Sequence, residues 1–394
     1  MGRRGRGTEV GAVSRLRVLH AITMLELGGA QRNTLDTVAM LDRERFAPAL
    51  ACADTGVLLP EARALADVPL FALRHLVREV RPHRDLLAVF ALRRVIRNFQ
   101  PHIVHTHSSK AGIAGRLAAR LERVPVVIHS IHGFGFGAHQ PLPVRRLFLA
   151  AERTAARWTH HFIAVSRRNL EDGVALGLFP VERVSLIRSG IDLEAFRRGG
   201  GGTELRLRLG VPPQAPLVAQ VSCFKPQKAP ERFVAMARQV ALQQPEAHFV
   251  LVGDGELRGE LERLRREAGL AGRVHLPGWL RDVPAVLDAA DVVTLTSRFE
   301  GLPRAVVEAL AAGVPVVSMA VEGVDEVIRE GENGFIVGQG DTAAMAAHVG
   351  RLLADRELRS RLAAAAPEGL AGFDRDLMVR QQEDLYGELA CRIG

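Results

Sequence analysis

Cysteine and lysine each occur three times in 394 residues, tryptophan twice and tyrosine once. Each scarcity excludes something. Cys52, Cys223 and Cys391 stand far apart with no paired spacing, which rules out a disulfide framework or thiolate metal site and suits a reducing cytosol. Aromatic residues make up 5% of the chain, too few for a platform that stacks single-stranded nucleic acid. Long apolar runs are also missing. The longest, residues 309–321, is interrupted by Gly313 and Pro315, and the stretch 18–25 contains His20 and runs into Glu26. A membrane contact, if made, is expected to be peripheral.

What is present is an ordinary globular balance, 47% hydrophobic and 24% charged, in a chain long enough for two cores. The net charge of +8 is unevenly shared. Residues 1–198 hold 30 basic and 17 acidic side chains, the remainder 22 and 27. A basic first half can serve nucleic acid, an anionic membrane or a phosphorylated substrate, or simply be a solvated arginine-rich surface. Residues 1–14 read as a loose basic arm. From Arg15 onward short apolar runs (LRVLHAIT, IVHTH, VPVVIHSIH, HFIAVS, RVSLIRSG) alternate with helical patterns, the signature of a parallel sheet covered on both faces. Residues 197–202 (RRGGGG) have the composition of a flexible linker, after which the alternation restarts. Expected units are a domain over 15–198, a second over 203–373, and a closing helix over 374–394 that Asp374 can cap. Two α/β halves joined by a hinge imply a cleft at the carboxyl ends of their strands.

The most informative segment is residues 297–317, SRFEGLPRAVVEALAAGVPVV. A strand ends, a loop holds Glu300 and Gly301, and Pro303 opens a helix where a missing N–H costs nothing. Such a helix start favours a diphosphate through its free N–H groups and dipole. Glu300 and Glu308 can both face the crevice, and carboxylates accept hydrogen bonds from sugar or ribose hydroxyls. An isolated pair of this kind is otherwise a solvated Glu beside a dipole-favoured one; the flanking Gly-Leu-Pro and Ala-Ala-Gly-Val-Pro-Val-Val shift that reading.

With these residues the sequence resembles the retaining GT-B glycosyltransferases of the family-4 group, whose donor signature is E-G-x6-E followed by A-x-G-x-P-V-V. The resemblance runs from about Arg15 to Tyr386 and takes in Gly28-Gly29, His132-Gly133, Ser166, Gly190-Ile191-Asp192, Lys228, Gly253-Asp254-Gly255, Gly278, Glu326 and Asn333-Gly334. It implies an α/β fold of two Rossmann-like domains facing each other across a cleft, with the closing helix returning to the N-terminal domain. It also implies roles: Glu300 and His132 at the transferred sugar, Glu308 on the ribose, Gly28, Gly29, Gly301 and Leu302 along donor phosphate or sugar, and Lys228 on the diphosphate. The family's partner arginine, five residues before that lysine, is here Cys223, and a thiol cannot replace a guanidinium. Lys225 or another cation must then supply the charge. Lys110 and Arg116 are acceptor-side candidates for an anionic group, or ordinary loop and helix cations.

The implied activity is transfer of a sugar from a nucleotide diphosphate sugar, a UDP-sugar first, to a glycan or lipid-linked glycan in polysaccharide biosynthesis. No cofactor and no metal are expected, because helix dipole and basic side chains neutralise the diphosphate. The group His102, His105, His107, His129 and His132 is read as scattered by strand alternation, with His129 facing packed neighbours. The enzyme is expected in the cytoplasm, its basic half toward the inner membrane face, with no nucleic-acid partner. Two alternatives stay open, a nucleotide-sugar 2-epimerase of the same fold and a non-catalytic partner subunit. An NAD oxidoreductase is disfavoured, since neither half has G-x-G-x-x-G at its first strand–helix turn.

Overall fold

The computed structural model describes residues 15–136 and 140–392; the basic arm, residues 1–14, lies outside the described residues. Seven strands form a first sheet: β1 (Leu16–Ala21), β2 (Phe46–Cys52), β3 (Leu70–Ala72), β4 (Ile103–His107), β5 (Val126–Ile131), β6 (His161–Ala164) and β7 (Val184–Leu186), in the order β3-β2-β1-β4-β5-β6-β7. Six more form a second: β8 (Leu217–Val221), β9 (His248–Val252), β10 (Val274–His275), β11 (Val292–Leu295), β12 (Val316–Met319) and β13 (Gly334–Val337), in the order β10-β9-β8-β11-β12-β13. Every neighbouring pair is parallel. Helices cover both faces, so β5, β11 and β12 are buried along their whole length and read as unbroken apolar runs apart from a few polar positions.

Both sheets reverse their direction of growth beside the first strand, between β1 and β4 and between β8 and β11. Loops leaving such neighbours run to opposite faces and open a crevice at the carboxyl ends. In the first sheet that crevice receives the turn Gly28-Gly29, which starts the helix Gly29–Met40. In the second it receives the segment after β8, with the short 3-10 turn Pro226–Lys228, and the loop after β11 that holds Glu300.

The glycine run at 199–201 is an ordered turn, not slack. Gly199, Gly200 and Gly201 have φ of 53°, 104° and 88°, a region open to glycine and strained for other residues. The Gly202 N–H then donates to Asp288 at 2.9 Å, docking the crossover on the helix Val283–Ala289.

The helix Arg375–Cys391 packs back on the first sheet. Asp374 caps it by accepting from the N–H groups of Asp376 and Leu377. Met378, Val379, Leu385, Tyr386 and Leu389 bury against Val18, Phe46, Ile103, Val126 and Ile128. The returning chain crosses the outgoing one at Ile191, whose N–H donates to the Phe373 carbonyl (2.8 Å) while its carbonyl accepts from Arg375 N–H (3.0 Å). A Cβ on Gly190 would strike the Arg375 backbone, so the two crossings touch at a residue that has to be glycine.

Candidate active site

Glu300 sits where the β11 loop turns into the helix Arg304–Ala311, and its carboxylate is fully engaged. Lys228 Nζ lies 2.6 and 2.8 Å from its two oxygens, and Ser297 Oγ donates to one of them at 2.7 Å. The Glu300 backbone N–H donates to Glu322 Oε2 at 3.0 Å, which fixes the loop from the β12 side. Pro303 occupies the position before the helix and offers no N–H, leaving the N–H groups that follow it at the helix start. One turn in, burial holds the Glu308 carboxyl above its ordinary range, with Arg304 and Arg32 pulling the other way. Arg304 Nε is 3.9 Å from Glu308, and another of its nitrogens is 3.8 Å from Asp36 on the first helix. Arg304 also donates to the Gly190 carbonyl, so one buried guanidinium joins the signature helix to the first domain and the crossover.

The facing wall is built at the end of β5. A Cβ on Gly133 (φ 109°) would lie 3.2 Å from the Gly301 backbone, and one on Gly301 would fall on the His132 carbonyl. The His-Gly loop and the Glu-Gly-Leu loop therefore meet backbone to backbone. Burial, helped by Arg304, lowers the His132 pKa to about 4, so its ring is neutral near pH 7. Gly29 faces Arg304, whose Cδ would be 3.1 Å from an added Cβ.

The residues singled out from the sequence come together with one exception. His132, Glu300, Gly28, Gly29, Lys225, Lys228, Gly301, Leu302, Glu308 and Lys110 all line one cleft of about 1920 Å³. Arg116 does not. Its side chain is fully buried between its own helix and the helix Leu142–Ala156, paired with Glu152 at 2.6 Å and donating to the Gly112 carbonyl, so it cannot meet an acceptor. The helical pattern of Ala111, Ala114 and Ala118 hides this, because a long side chain among small ones can turn inward. Lys110 is tied to Asp85 at 2.6 Å and donates to the Glu79 carbonyl. Lys225 spans the cleft to Glu26 of the first domain (2.6 Å). Burial raises the Cys223 thiol pKa although Lys228 and Lys225 act against it, so this side chain brings no charge.

Sequence reasoning missed Arg304, Glu26, Glu322 and Trp279, which lies on the cleft rim. A single arginine at the start of a helix that is apolar apart from Glu308, RAVVEALA, is the one local sign of the first. The histidines are not scattered as expected. Alternation does send His129 to the other face, where its Nδ1 meets Thr106 Oγ1 at 2.9 Å. Parallel pairing of β1 on β4, however, sets His20 beside His105, and ring nitrogens of His20, His105 and His107 lie within 4.8 Å of one another.

Two family models match the chain in sequence: one described as Glycosyltransferase Family 4 over residues 27–195, the other as Glycosyl transferases group 1 over residues 203–369. A UDP-Gal:alpha-D-GlcNAc-diphosphoundecaprenol alpha-1,3-galactosyltransferase of Escherichia coli is 30% identical over 378 residues, 95% of this chain and 97% of that one. A lipopolysaccharide core biosynthesis glycosyltransferase of Rhizobium meliloti is 37% identical over 172 residues, 43% of this chain and 49% of that one. Among solved structures, Anabaena HepE in complex with UDP-glucose superposes with a TM-score of 0.81 at 21% identity, covering 95% of this chain and all of the other. WaaG, a glycosyltransferase of lipopolysaccharide biosynthesis, gives 0.76 at 16% identity over 93% and 99%.

Proposed function

The chain belongs to the GT-B glycosyltransferases of family 4, and from that membership we propose that it transfers a hexose from a UDP-sugar to a lipid-linked glycan, with retention at the anomeric carbon. The observation that carries the reading is the meeting of the His132-Gly133 and Glu300-Gly301-Leu302 loops at the throat of the cleft, with Lys228 and the start of the helix Arg304–Ala311 beside them. The donor diphosphate lies against that helix start and Lys228. The ribose hydroxyls meet Glu308, and the sugar lies between Glu300 and His132. Catalysis rests on positioning and on stabilising charge at the leaving diphosphate, without a metal ion. The relative of 95% overlap, named for a UDP-Gal donor and a diphosphoundecaprenol acceptor, supports both halves of the substrate reading.

A basic, partly apolar surface beside the cleft supports a membrane-facing first domain in the cytoplasm. Val80, Leu86 and Phe90 are exposed next to Arg81, and Leu142 and Leu147 next to Arg146. Among the described residues no helix is long and apolar enough to cross a membrane. Flotation with anionic vesicles at low salt tests this; protein left in the bottom fraction sinks it.

Titration against UDP, GDP and ADP in EDTA tests the donor site. Selective UDP binding that Glu308→Ala abolishes is the expected result, and equal binding of all three overturns the donor assignment. Transfer from UDP-galactose to GlcNAc-diphosphoundecaprenol, with the new linkage read by NMR, tests the rest. UDP release that needs no acceptor favours the epimerase reading, and an inverted product removes retention.

A further inference from the structure

His132 heads a column of three histidines. His132 Nε2 is 3.1 Å from His107 Nδ1, and His107 Nε2 is 3.1 Å from His20 Nδ1. The column ends at His20 Nε2, which is buried and has no hydrogen-bond partner among the described residues. His20 and His107 are wholly buried, whereas His132 lines the cleft. Burial keeps all three rings neutral, with the His20 pKa lowered to about 3 and that of His107 well below its ordinary value. A neutral imidazole carries one proton, so it donates through one nitrogen and accepts through the other.

Only two arrangements satisfy both contacts. In one, every proton sits on the nitrogen facing inward and the column ends in a buried His20 Nε2–H with nothing to receive it. In the other, every proton faces outward and His20 Nε2 keeps an unused lone pair. Orphaned buried N–H groups are rarer and costlier than under-used acceptors. The second arrangement is therefore the lower in energy, with His20 Nδ1–H donating to His107 and His107 Nδ1–H donating to His132 Nε2. The proton of His132 is thereby placed on Nδ1.

The neighbouring His105 does not interfere, and its own proton can be placed. Thr37 Oγ1 donates to the Asn33 carbonyl (2.9 Å) and accepts from Gln382 Nε2 (3.2 Å), while Gln382 Oε1 accepts from Tyr386 OH (3.1 Å). The Tyr386 oxygen, 2.6 Å away, must then accept from His105 Nδ1–H, and His105 Nε2 accepts from Ser130 Oγ at 2.7 Å. Both nitrogens of His105 are occupied. A metal ion among His20, His105 and His107 would have to break these bonds, and no carboxylate or thiolate joins the group among the described residues.

We propose that His20 and His107 are positioning residues that hold His132 as a neutral Nδ1–H donor aimed into the cleft. This rests on the reading above that the donor sugar lies against His132. It makes His132 a hydrogen-bond donor to a sugar hydroxyl or to charge developing at the leaving bond, and it bars Nδ1 from acting as a base.

The first test reads the wild-type protein and uses a variant only to assign the signal. Long-range 1H–15N spectra of histidine-labelled protein, with His132 assigned by its loss in His132→Asn, should show the Nδ1–H tautomer. An Nε2–H or charged His132 ring overturns the proposal, as does tight Zn²⁺ binding that shifts the His20 and His107 signals. The second test is kinetic. His20→Phe removes the end donor and should lower kcat on UDP-galactose roughly 10- to 100-fold while leaving UDP affinity unchanged. His20→Asn, whose Nδ2–H can take the place of Nδ1–H, should recover most of the rate. Full activity in His20→Phe, or equal loss in both variants, overturns the relay. If wild-type His132 is Nδ1–H but His132→Asn keeps full kcat, the column stands and the site reading fails instead.

Discussion

The two halves face one cleft but are assembled in different ways. In the second domain most of the wall is consecutive in sequence: β11, the Glu300 loop, the helix Arg304–Ala311 and β12 follow each other within residues 292–319, and Lys228 joins them from the turn after β8. In the first domain the wall behind His132 is composed at a distance. His20, His107 and Tyr386 come from β1, β4 and the returning helix, and Tyr386 OH meets His105 across 281 positions. The second domain buries mostly hydrocarbon under its strands. The first buries an arginine and a set of neutral histidines. Chemistry carried by one short segment tolerates change elsewhere in its domain, whereas chemistry carried by a packed polar core is tied to the stability of that core.

The two tryptophans allow this contrast to be broken or sharpened, since Trp158 reports the first domain and Trp279 the second. The largest effect is expected from ending the chain at Phe373. Losing five buried apolar side chains, about 2 kcal/mol each, approaches the whole stability of a domain. The Trp158 transition should vanish while that of Trp279 persists; loss of both would mean the halves do not fold separately.

Acid should come next. His20, His105, His107, His129 and His132 all have folded pKa values below the unfolded 6.5, with about 3 for His20 and about 4 for His132. Below pH 6.5 the unfolded chain binds protons that the folded one refuses, so their contribution is full above 6.5 and is lost as pH falls toward 4. In the second domain only His248 and His275 are depressed among the described residues. Denaturant melts at pH 7.5 and 5 should weaken the Trp158 transition far more than the other. Equal weakening would refute the contrast.

Glu152→Ala leaves the fully buried Arg116 without its partner and should cost the first domain about 3–5 kcal/mol, with the Trp279 transition unmoved. Glu300→Gln should do the opposite, lowering kcat by about 10²–10³ with both melts intact. The smallest expected change is in Gly301→Ala. Its Cβ meets the His132 carbonyl across the domain boundary, so kcat/KM should fall about tenfold, near 1.4 kcal/mol, while UDP affinity survives. An unchanged kcat/KM would mean the two loops need not touch.

The same contrast explains what could be read from the chain itself. Strand–helix alternation carries the fold because parallel strands covered on both faces must be apolar throughout. The wall around Glu300 is legible because residues 297–317 are neighbours in sequence. Arg116 misled because burial of a long cation depends on Glu152 thirty-six residues away, which helix periodicity does not contain. His20 stayed hidden for the same kind of reason: the parallel pairing of β1 on β4 is a property of the sheet, not of any local spacing. The Gly199–Gly201 run misled in the other direction, since glycine serves left-handed turns as readily as slack ones.

The crossing at Ile191 also bears on how the molecule is made. The first domain's hydrophobic face is covered by residues that the ribosome delivers only after the whole of residues 203–373. Until then Val18, Phe46 and Ile103 lack their cover, and Asn33 waits for Met378, 345 positions downstream. Contacts of such separation form late and slowly. During synthesis the second domain can complete itself first and the earlier-made one must wait for it, a nascent chain whose need for chaperones lies in the half that emerges first.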